Sequence, residues 1–301
     1  MLQLTYTGQY YPALPGNHRF PIAKYALVRE QLLYEGLVQP EQLLDPGLCP
    51  EAHIVRVHTP EYWQAAKALA LPPKAVRELG LPLVPETVLR AQNSVHCTLI
   101  SAGHALKDGI GIHLGGGTHH AFADRPEGFC LLNDLAVAAA WLLHQAPRRR
   151  VLILDLDVHQ GNGTASIFQQ EPRVFTFSMH CQHNYPLRKE VSDRDVALAS
   201  GTGDKAYLQL LEEELQHVVS QFRPDIMLYQ AGVDVLAGDK LGRLSLSKAA
   251  CQQRDRLVLR YCRNNSLPLV VTLGGGYHSS LPELIDAHCN TVREAFSVFG
   301  Y

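Results

Sequence analysis

The sequence predicts an α/β fold, a single domain spanning residues 1–301 in which a mostly parallel sheet lies between two layers of helices. Three observations support this fold class. Short apolar runs rich in β-branched residues recur along the chain, helical patterns separate them, and no linker-like stretch divides them. Strands that alternate with helices form parallel sheets covered on both faces. With 46% hydrophobic and 19% charged residues, the chain has the composition of a globular protein with a large core.

Five apolar runs have the length and composition of strands buried on both faces. They occupy residues 110–114, 151–154, 174–177, 226–229 and 269–273. Pro268 stands directly before the last run, a position that proline tolerates because the first residue of a strand need not donate to the ladder.

Helical patterns fill the intervals between these runs. One helix face is predicted by the +3/+4 spacing of Leu208, Leu211, Leu215, Val218 and Phe222. Asn133 or Asp134 is predicted to cap a helix over residues 136–144, and Ser247 to cap another that reaches residue 261. The proline-rich segment 71–85 is the best candidate for a linker, although a long surface loop explains it equally well.

Composition and charge exclude several function classes. The formal net charge of -2 indicates no nucleic-acid or anionic-membrane partner, and no apolar stretch reaches the roughly 20 residues of a membrane span. Seven scattered cysteines without a CxxC pair argue for a reducing compartment. The N-terminus lacks the basic and apolar regions of a signal peptide. We therefore expect a soluble, cytoplasmic protein.

Titratable groups follow every predicted strand at its carboxyl end, where open parallel sheets bind their ligands. The segments are GGGTHH (115–120), DLDVH (155–159), SMH (178–180), QAGVD (230–234) and GGGYH (274–278). One such cluster would be ordinary, but five at one edge of a sheet predict a single site.

Three of these residues suit a metal ion. Asp157 and His159 alternate along the chain and point to the same side of an extended segment, and Asp234 arrives from another strand. Two carboxylates and one imidazole leave a position open for water, as a catalytic Zn²⁺ site requires. The oxygen-rich set would also accept Fe²⁺, Mn²⁺ or Co²⁺. Any one of the three alone is better explained by a helix cap or an ion pair.

Acid–base and oxyanion chemistry account for the remaining polar residues. His119 and His120 follow a glycine run and suit proton transfer, with Asp155 available to orient one and Asn162 the other. Tyr277 follows three glycines, so its hydroxyl is a candidate donor to a developing oxyanion. Taken singly, an adjacent histidine pair is more often incidental and a tyrosine at a strand end more often belongs to the core.

The order of these motifs resembles that of the zinc-dependent histone deacetylases, which have the arginase–deacetylase fold. The matching segments are GGGTHHAF (115–122), GFCLLND (128–134), DLDVHQGNG (155–163), GTGD (201–204), AGVDVLAGDKLG (231–242) and LGGGYH (273–278). With Gln160 and Asn162, the third segment is most similar to the class IV branch.

The resemblance implies two ion sites. The catalytic zinc ion would be bound by Asp157, His159 and Asp234. A structural potassium ion would be bound by the side chains of Asp155 and Ser178 and by the backbone carbonyls of Asp157, His159 and Met179.

It also implies the catalytic roles. His119 and His120 would be the proton-transfer pair, with Asp155 behind His119 and Asn162 behind His120, while Tyr277 would polarise the substrate carbonyl. A neutral amide stabilises an imidazolium less than a carboxylate does, so His120 is expected to be the more readily neutral histidine and the base.

The activity implied is metal-dependent removal of an acetyl or longer fatty acyl group from the side-chain amine of lysine, since class IV members are associated with long acyl groups. The acyl-lysine tunnel would be lined by Gly128, Phe129, Tyr185, Gly275 and Gly276. The alternative is a small-molecule amidohydrolase such as an acetylpolyamine deacetylase. An acidic rim of the pocket would favour cationic polyamines, whereas a shallow open rim would favour protein lysines.

Two further readings rank lower. A binuclear manganese hydrolase of the arginase type would need more carboxylates than these motifs supply. A binding module with a vestigial site would have lost a metal ligand or the tyrosine, and all are present.

Overall fold

The computed structural model describes residues 2–301 and confirms the predicted three-layer α/β/α class. The strands are Leu4–Thr5 (β1), Leu43–Leu44 (β2), Ile110–His113 (β3), Val151–Asp155 (β4), Val174–Cys181 (β5), Arg194–Leu198 (β6), Ile226–Gln230 (β7) and Leu269–Thr272 (β8). The α-helices are Lys24–Tyr34 (α1), Glu51–Ile54 (α2), Pro60–Lys67 (α3), Pro73–Leu79 (α4), Pro85–Asp108 (α5), Asp134–Gln145 (α6), Asn162–Phe168 (α7), Asp204–Phe222 (α8), Lys248–Asn264 (α9) and Leu281–Phe299 (α10). A short 3₁₀ helix spans Pro40–Gln42.

All eight strands belong to one parallel sheet with the order β2-β1-β3-β8-β7-β4-β5-β6. The strand register aligns the polar residues near the carboxyl ends of the central strands. Asp155 at the end of β4 is paired with Ser178 on β5 and with Gln230 on β7. The polar segments that follow these strands therefore meet at one edge of the sheet.

Alternate residues of the central strands enter two separate cores, one on each face of the sheet. Leu152 and Leu154 pack in the core that contains α1, α8, α9 and α10. Val151 and Ile153 pack in the core that contains α3, α5 and α6. Because both faces are covered, the central strands are apolar along most of their length, which is the pattern the sequence showed.

The five predicted strands are all present, and the structure adjusts their ends. β5 continues to Cys181, so Ser178, Met179 and His180 lie within the strand and do not follow it as predicted. The sequence missed β1 and β2, which have two residues each, and β6, an edge strand with exposed positions. Such short or amphipathic segments lack the continuous apolar run of a buried strand.

Both predicted helix caps are confirmed. The Asn133 side chain accepts a hydrogen bond from the backbone N–H of Ala136 and caps α6, while Asp134 lies in the first turn. The Ser247 hydroxyl accepts from the backbone N–H of Ala250 and caps α9. These bonds satisfy donors that have no partner inside the helix.

The proline-rich segment 71–85 differs from the expectation of a linker or a surface loop. Its middle forms α4, whose last residue Leu79 is buried in a core. Glu78 and Leu79 accept backbone hydrogen bonds from Gly128 and Phe129, at 3.0 and 2.8 Å. The segment is therefore built into the fold beside the predicted tunnel. Within residues 2–301, no helix is both long and apolar enough to cross a membrane.

Candidate active site

Asp157, His159 and Asp234 lie together at the carboxyl edge of the sheet, each buried and each offering a ligand atom within 4.8 Å of the others. His159 Nδ1 is 3.0 Å from Asp157 Oδ1 and 3.2 Å from Asp234 Oδ2. The second contact lacks hydrogen-bond geometry, so the buried Asp234 Oδ2 has no hydrogen-bond partner. A buried carboxylate oxygen without a partner is costly unless a cation neutralises it. The three groups therefore fit a divalent cation.

Two glycines, Gly232 and Gly275, pack closely against these carboxylates. A side chain at Gly232 would collide with Asp157, and one at Gly275 would collide with both Asp157 and Asp234. The backbone N–H of Gly275 and the amide of Gln230 donate to Asp157 Oδ2, at 3.0 and 2.8 Å. Glycine at these positions lets the backbone approach and hold the carboxylates.

The electrostatics of this group indicate a need for positive charge. Burial and the neighbouring Asp157 raise the pKa of Asp234 to about 7. Burial alone would lower the pKa of His159, but its hydrogen bond with Asp157 and the adjacent carboxylates of Asp157 and Asp234 raise it to about 10. A divalent cation bound by these residues would supply that charge and release the histidine proton.

The two adjacent histidines each have a partner behind the ring. His119 Nδ1 lies 2.6 Å from Asp155 Oδ2, and His120 Nδ1 lies 2.7 Å from Asn162 Oδ1. The ring centroids are 4.1 Å apart. This is the pairing that the family resemblance implied for Asp155 and Asn162.

The partners give the two rings opposite pKa shifts. Burial would lower the pKa of His119, but the charges of Asp155 and Asp157 outweigh it and raise that pKa to about 9. Burial together with the positive neighbours His119 and His159 holds the pKa of His120 well below its usual range, although the hydrogen bond with Asn162 acts in the opposite direction. In the metal-free protein, these surroundings therefore favour the protonated form of His119 and the neutral form of His120.

Tyr277 stands over the metal-ligand group on the loop that follows β8. Its backbone N–H donates to Asp239 Oδ2 at 2.6 Å, and its ring centroid lies 6.4 Å from that of His159. Burial, with the nearby carboxylates of Asp157 and Asp234, raises the pKa of the phenol well above 10. The hydroxyl therefore stays protonated and remains a hydrogen-bond donor at physiological pH.

A cavity of about 720 Å³ leads from the surface to His120, His159 and Tyr277. Three of the predicted tunnel residues, Gly128, Phe129 and Tyr185, line it. The Tyr185 ring meets the His120 ring edge-on, with centroids 5.0 Å apart. A larger groove of about 980 Å³ elsewhere on the surface contains none of the predicted site residues.

The other two predicted tunnel residues lie behind the site. Gly275 donates to Asp157 from beneath the carboxylates. Gly276 is closely packed against Val233, Leu284 and His288. Both positions require glycine, because a side chain at either would collide with neighbouring side chains.

The residues of the predicted potassium site are also adjacent. Asp155 and Ser178 are register partners on β4 and β5. Asp155 Oδ1 accepts a hydrogen bond from the backbone N–H of Asp157 at 3.1 Å, and the Ser178 hydroxyl lies 3.0 Å from His180 Nδ1. Met179 follows in the same strand, so the proposed ligands share one region beside the histidine pair.

Sequence reasoning missed Glu127. Its Oε1 accepts hydrogen bonds from Asn162 Nδ2 at 2.8 Å and from the Tyr185 hydroxyl at 2.7 Å. Glu127 thus connects Asn162, the hydrogen-bond partner of His120, with Tyr185 in the aromatic wall of the cavity. Its only sequence signal is a position directly before the GFCLLND motif, since its partners are 35 and 58 residues away.

The family model for the histone deacetylase domain matches residues 18–292. The chain belongs to the histone deacetylase family. An uncharacterized protein of Picosynechococcus sp. is 42% identical over 98% of this chain and 99% of its own length. Histone deacetylase 2 of Arabidopsis thaliana is 30% identical over 89% of this chain and 72% of its own.

Comparison with solved structures gives the same fold. An HDAC homolog complexed with SAHA superposes with a TM-score of 0.83, at 23% identity, over 99% of this chain and 88% of its own. Together, the family match and the buried group of Asp157, His159 and Asp234 support a metal-dependent hydrolase of the deacetylase type.

Proposed function

We propose that this histone deacetylase family member hydrolyses the N-acyl amide of lysine side chains. One observation carries the proposal: His120, His159 and Tyr277 converge at the inner end of a cavity whose wall includes Phe129 and Tyr185. The aromatic side chains of Phe129 and Tyr185 suit the aliphatic part of an acyl-lysine, and the polar groups of His120, His159 and Tyr277 suit its amide.

Asp157, His159 and Asp234 would hold zinc as the catalytic ion, which when bound supplies Lewis acidity and a water of lowered pKa. Beside it, Asp155 and Ser178 with the carbonyls of Asp157, His159 and Met179 would hold potassium. Carboxylate, hydroxyl and carbonyl oxygens are the donors that hard cations prefer.

His120 would remove the proton from the attacking water. It lines the cavity, and its Nδ1 is engaged by Asn162 Oδ1, so Nδ1 carries the proton and Nε2 is free to accept one. A protonated histidine of the pair would then donate to the leaving lysine amine. The Tyr277 hydroxyl would donate to the carbonyl oxygen as negative charge develops there.

The rim of the cavity supports acyl-lysine over acetylpolyamines. Arg19, Arg77, Lys240 and Arg243 line it, with Glu78 as the one carboxylate, whereas cationic polyamines would need an acidic rim. Similarity to the class IV branch favours an acyl group longer than acetyl. Side-by-side assays of acetyl-, octanoyl- and myristoyl-lysine peptides test this, and a preference for acetyl would contradict it.

Tyr277→Phe tests the chemistry directly. We expect kcat to fall by roughly 10²-fold or more, as when one oxyanion donor is removed, with KM little changed because the ring remains. The measurement is steady-state kinetics on zinc-loaded protein whose metal content matches that of the wild type. Full activity of the variant would remove Tyr277 from the proposed mechanism.

A further inference from the structure

The mouth of the active-site cavity carries a marked excess of positive charge. Four exposed cationic residues line it, namely Arg19, Arg77, Lys240 and Arg243. Within residues 2–301, none of the four has a carboxylate within ion-pair distance. The whole chain has a net charge of -2, so this patch departs from the overall balance.

The acidic residues near the mouth do not compensate this charge. Glu78 is the one carboxylate in the cavity lining, and Lys74 Nζ lies 3.7 Å from it. The Glu127 carboxylate already accepts from Asn162 and Tyr185. Positive charge therefore dominates the field at the entrance.

The cations are held on separate elements around the opening. Arg77 lies on α4, and Arg19 is placed beside that helix by a contact of 3.1 Å between His18 Nε2 and the Gly80 carbonyl. The Arg243 guanidinium donates to the His183 carbonyl at 2.9 Å. The cations are thus held on separate elements at the mouth before any substrate arrives.

The loop that carries Lys240 and Arg243 is itself fixed to the catalytic machinery. Asp239 accepts backbone hydrogen bonds from Leu241 and Gly242, both at 2.8 Å, and from Tyr277. The same carboxylate therefore holds the basic rim and the proposed oxyanion donor.

We propose that this mouth selects acyl-lysines flanked by acidic residues in a protein or peptide substrate. The inference rests on the proposed function, and it names the substrate class of that same site. A cleft lined by one sign of charge raises the local concentration of the opposite charge and speeds encounter. Aspartate and glutamate on either side of the acyl-lysine would meet the four cations, while basic flanks would be repelled.

Two matched peptides test the proposal: one acyl-lysine with aspartate and glutamate at the flanking positions, and the same peptide with lysine and arginine there. We expect kcat/KM to be about tenfold higher for the acidic peptide, the effect of two exposed ion pairs. Raising the salt from about 0.05 M to about 0.5 M should shrink this ratio, because exposed charges are screened.

Charge reversal then locates the effect. Arg77→Glu combined with Lys240→Glu should abolish or invert the preference between the peptides. The matched control is Lys107→Glu combined with Arg148→Glu, which makes the same charge change at exposed positions near the opposite edge of the sheet. The control should retain the wild-type ratio and its salt dependence.

The outcomes separate the two proposals. Turnover of both peptides at equal rates, or a preference for the basic one, would overturn the acidic-flank proposal and leave the deacylase function standing. If the zinc-loaded protein hydrolyses neither peptide, the proposed function fails. Fluorescence anisotropy of the same peptides, labelled, then still decides the charge preference: tighter binding of the acidic one supports it and equal binding refutes it.

Discussion

At the scale of single residues, the partner behind the His120 ring is an amide and not a carboxylate. Asn162 Oδ1 faces His120 Nδ1, and its Nδ2 donates to Glu127 at 2.8 Å. An amide can rotate to exchange its oxygen and nitrogen, so a fixed acceptor on the nitrogen side determines which atom meets the histidine. Glu127 therefore keeps the oxygen toward His120 and the Nε2 lone pair of that ring available.

This arrangement predicts that Asn162→Asp lowers activity, although a carboxylate would be the stronger partner for an imidazolium. The new carboxylate would stand against Glu127, and two adjacent carboxylates cannot both ionise without a large cost. We expect a loss in kcat of roughly tenfold or more, measured at pH 7 on protein with confirmed metal content.

Glu127→Gln is the matched partner in a double-mutant cycle. Alone, this substitution should reduce kcat only slightly, because the oxygen of the glutamine amide still accepts from Asn162 or Tyr185. Combined with Asn162→Asp it should restore much of the lost kcat, since the glutamine can donate to the new carboxylate. Additive losses in the double variant would show that the two residues act independently.

At the scale of elements, helix α1 anchors the loop that carries Tyr277. Lys24 is buried, and its ammonium donates at 2.9 Å to the carbonyl of Gly274, the first of the three glycines that follow β8. It lies 5.6 Å from the centroid of the Tyr277 ring. A buried ammonium held by loop carbonyls fixes backbone that would otherwise be free to move, because glycine restrains its own dihedral angles poorly.

Lys24→Met should therefore affect both stability and turnover. Methionine keeps the length of the side chain but leaves the Gly274 carbonyl without its donor, which costs about 1–3 kcal/mol. Urea unfolding measures the stability, and kcat should fall because the tyrosine loses its fixed position. Lys107→Met, at an exposed position in the last turn of α5, is the control and should stay within about 0.5 kcal/mol of the wild type. An unchanged kcat in Lys24→Met would show that the loop needs no anchor from α1.

At the scale of the whole molecule, the site joins segments that follow distant strands, so a bound ion should stabilise the entire fold. Asp157 and His159 follow β4, and Asp234 follows β7. A ligand that binds only the folded chain stabilises it by about 2.7 kcal/mol at 100 times its Kd.

Zinc titrated into metal-free protein should therefore bind with one equivalent per chain and raise Tm by about 5 °C. Asp234→Asn should lose most of this increase, while the metal-free variant unfolds at or above the wild-type temperature because carboxylate repulsion with Asp157 is relieved. Two equivalents by metal analysis would instead favour a binuclear site of the arginase type.

Local patterns were sufficient for the fold class and for much of the site. Continuous apolar runs predicted the central strands, and polar segments at their ends predicted one cluster, because parallel strands place their carboxyl ends at a common edge. The structure brings Asp157, His159 and Asp234 together as that reasoning expected. The roles of His119, His120 and Tyr277 remain predictions for the experiments above.

By itself, the sequence determined the parallel α/β core, the membership of the family and the identity of the metal-ligand candidates, since these depend on periodicity and on motifs within short segments. Only the tertiary structure decided that Glu127 holds Asn162, that Lys24 anchors the glycine loop and that α4 brings Arg77 to the mouth. The partners of these residues are 35 to 250 positions away along the chain or on separate elements. Contacts between such distant segments are set by how the layers pack, and no local pattern of residues encodes them.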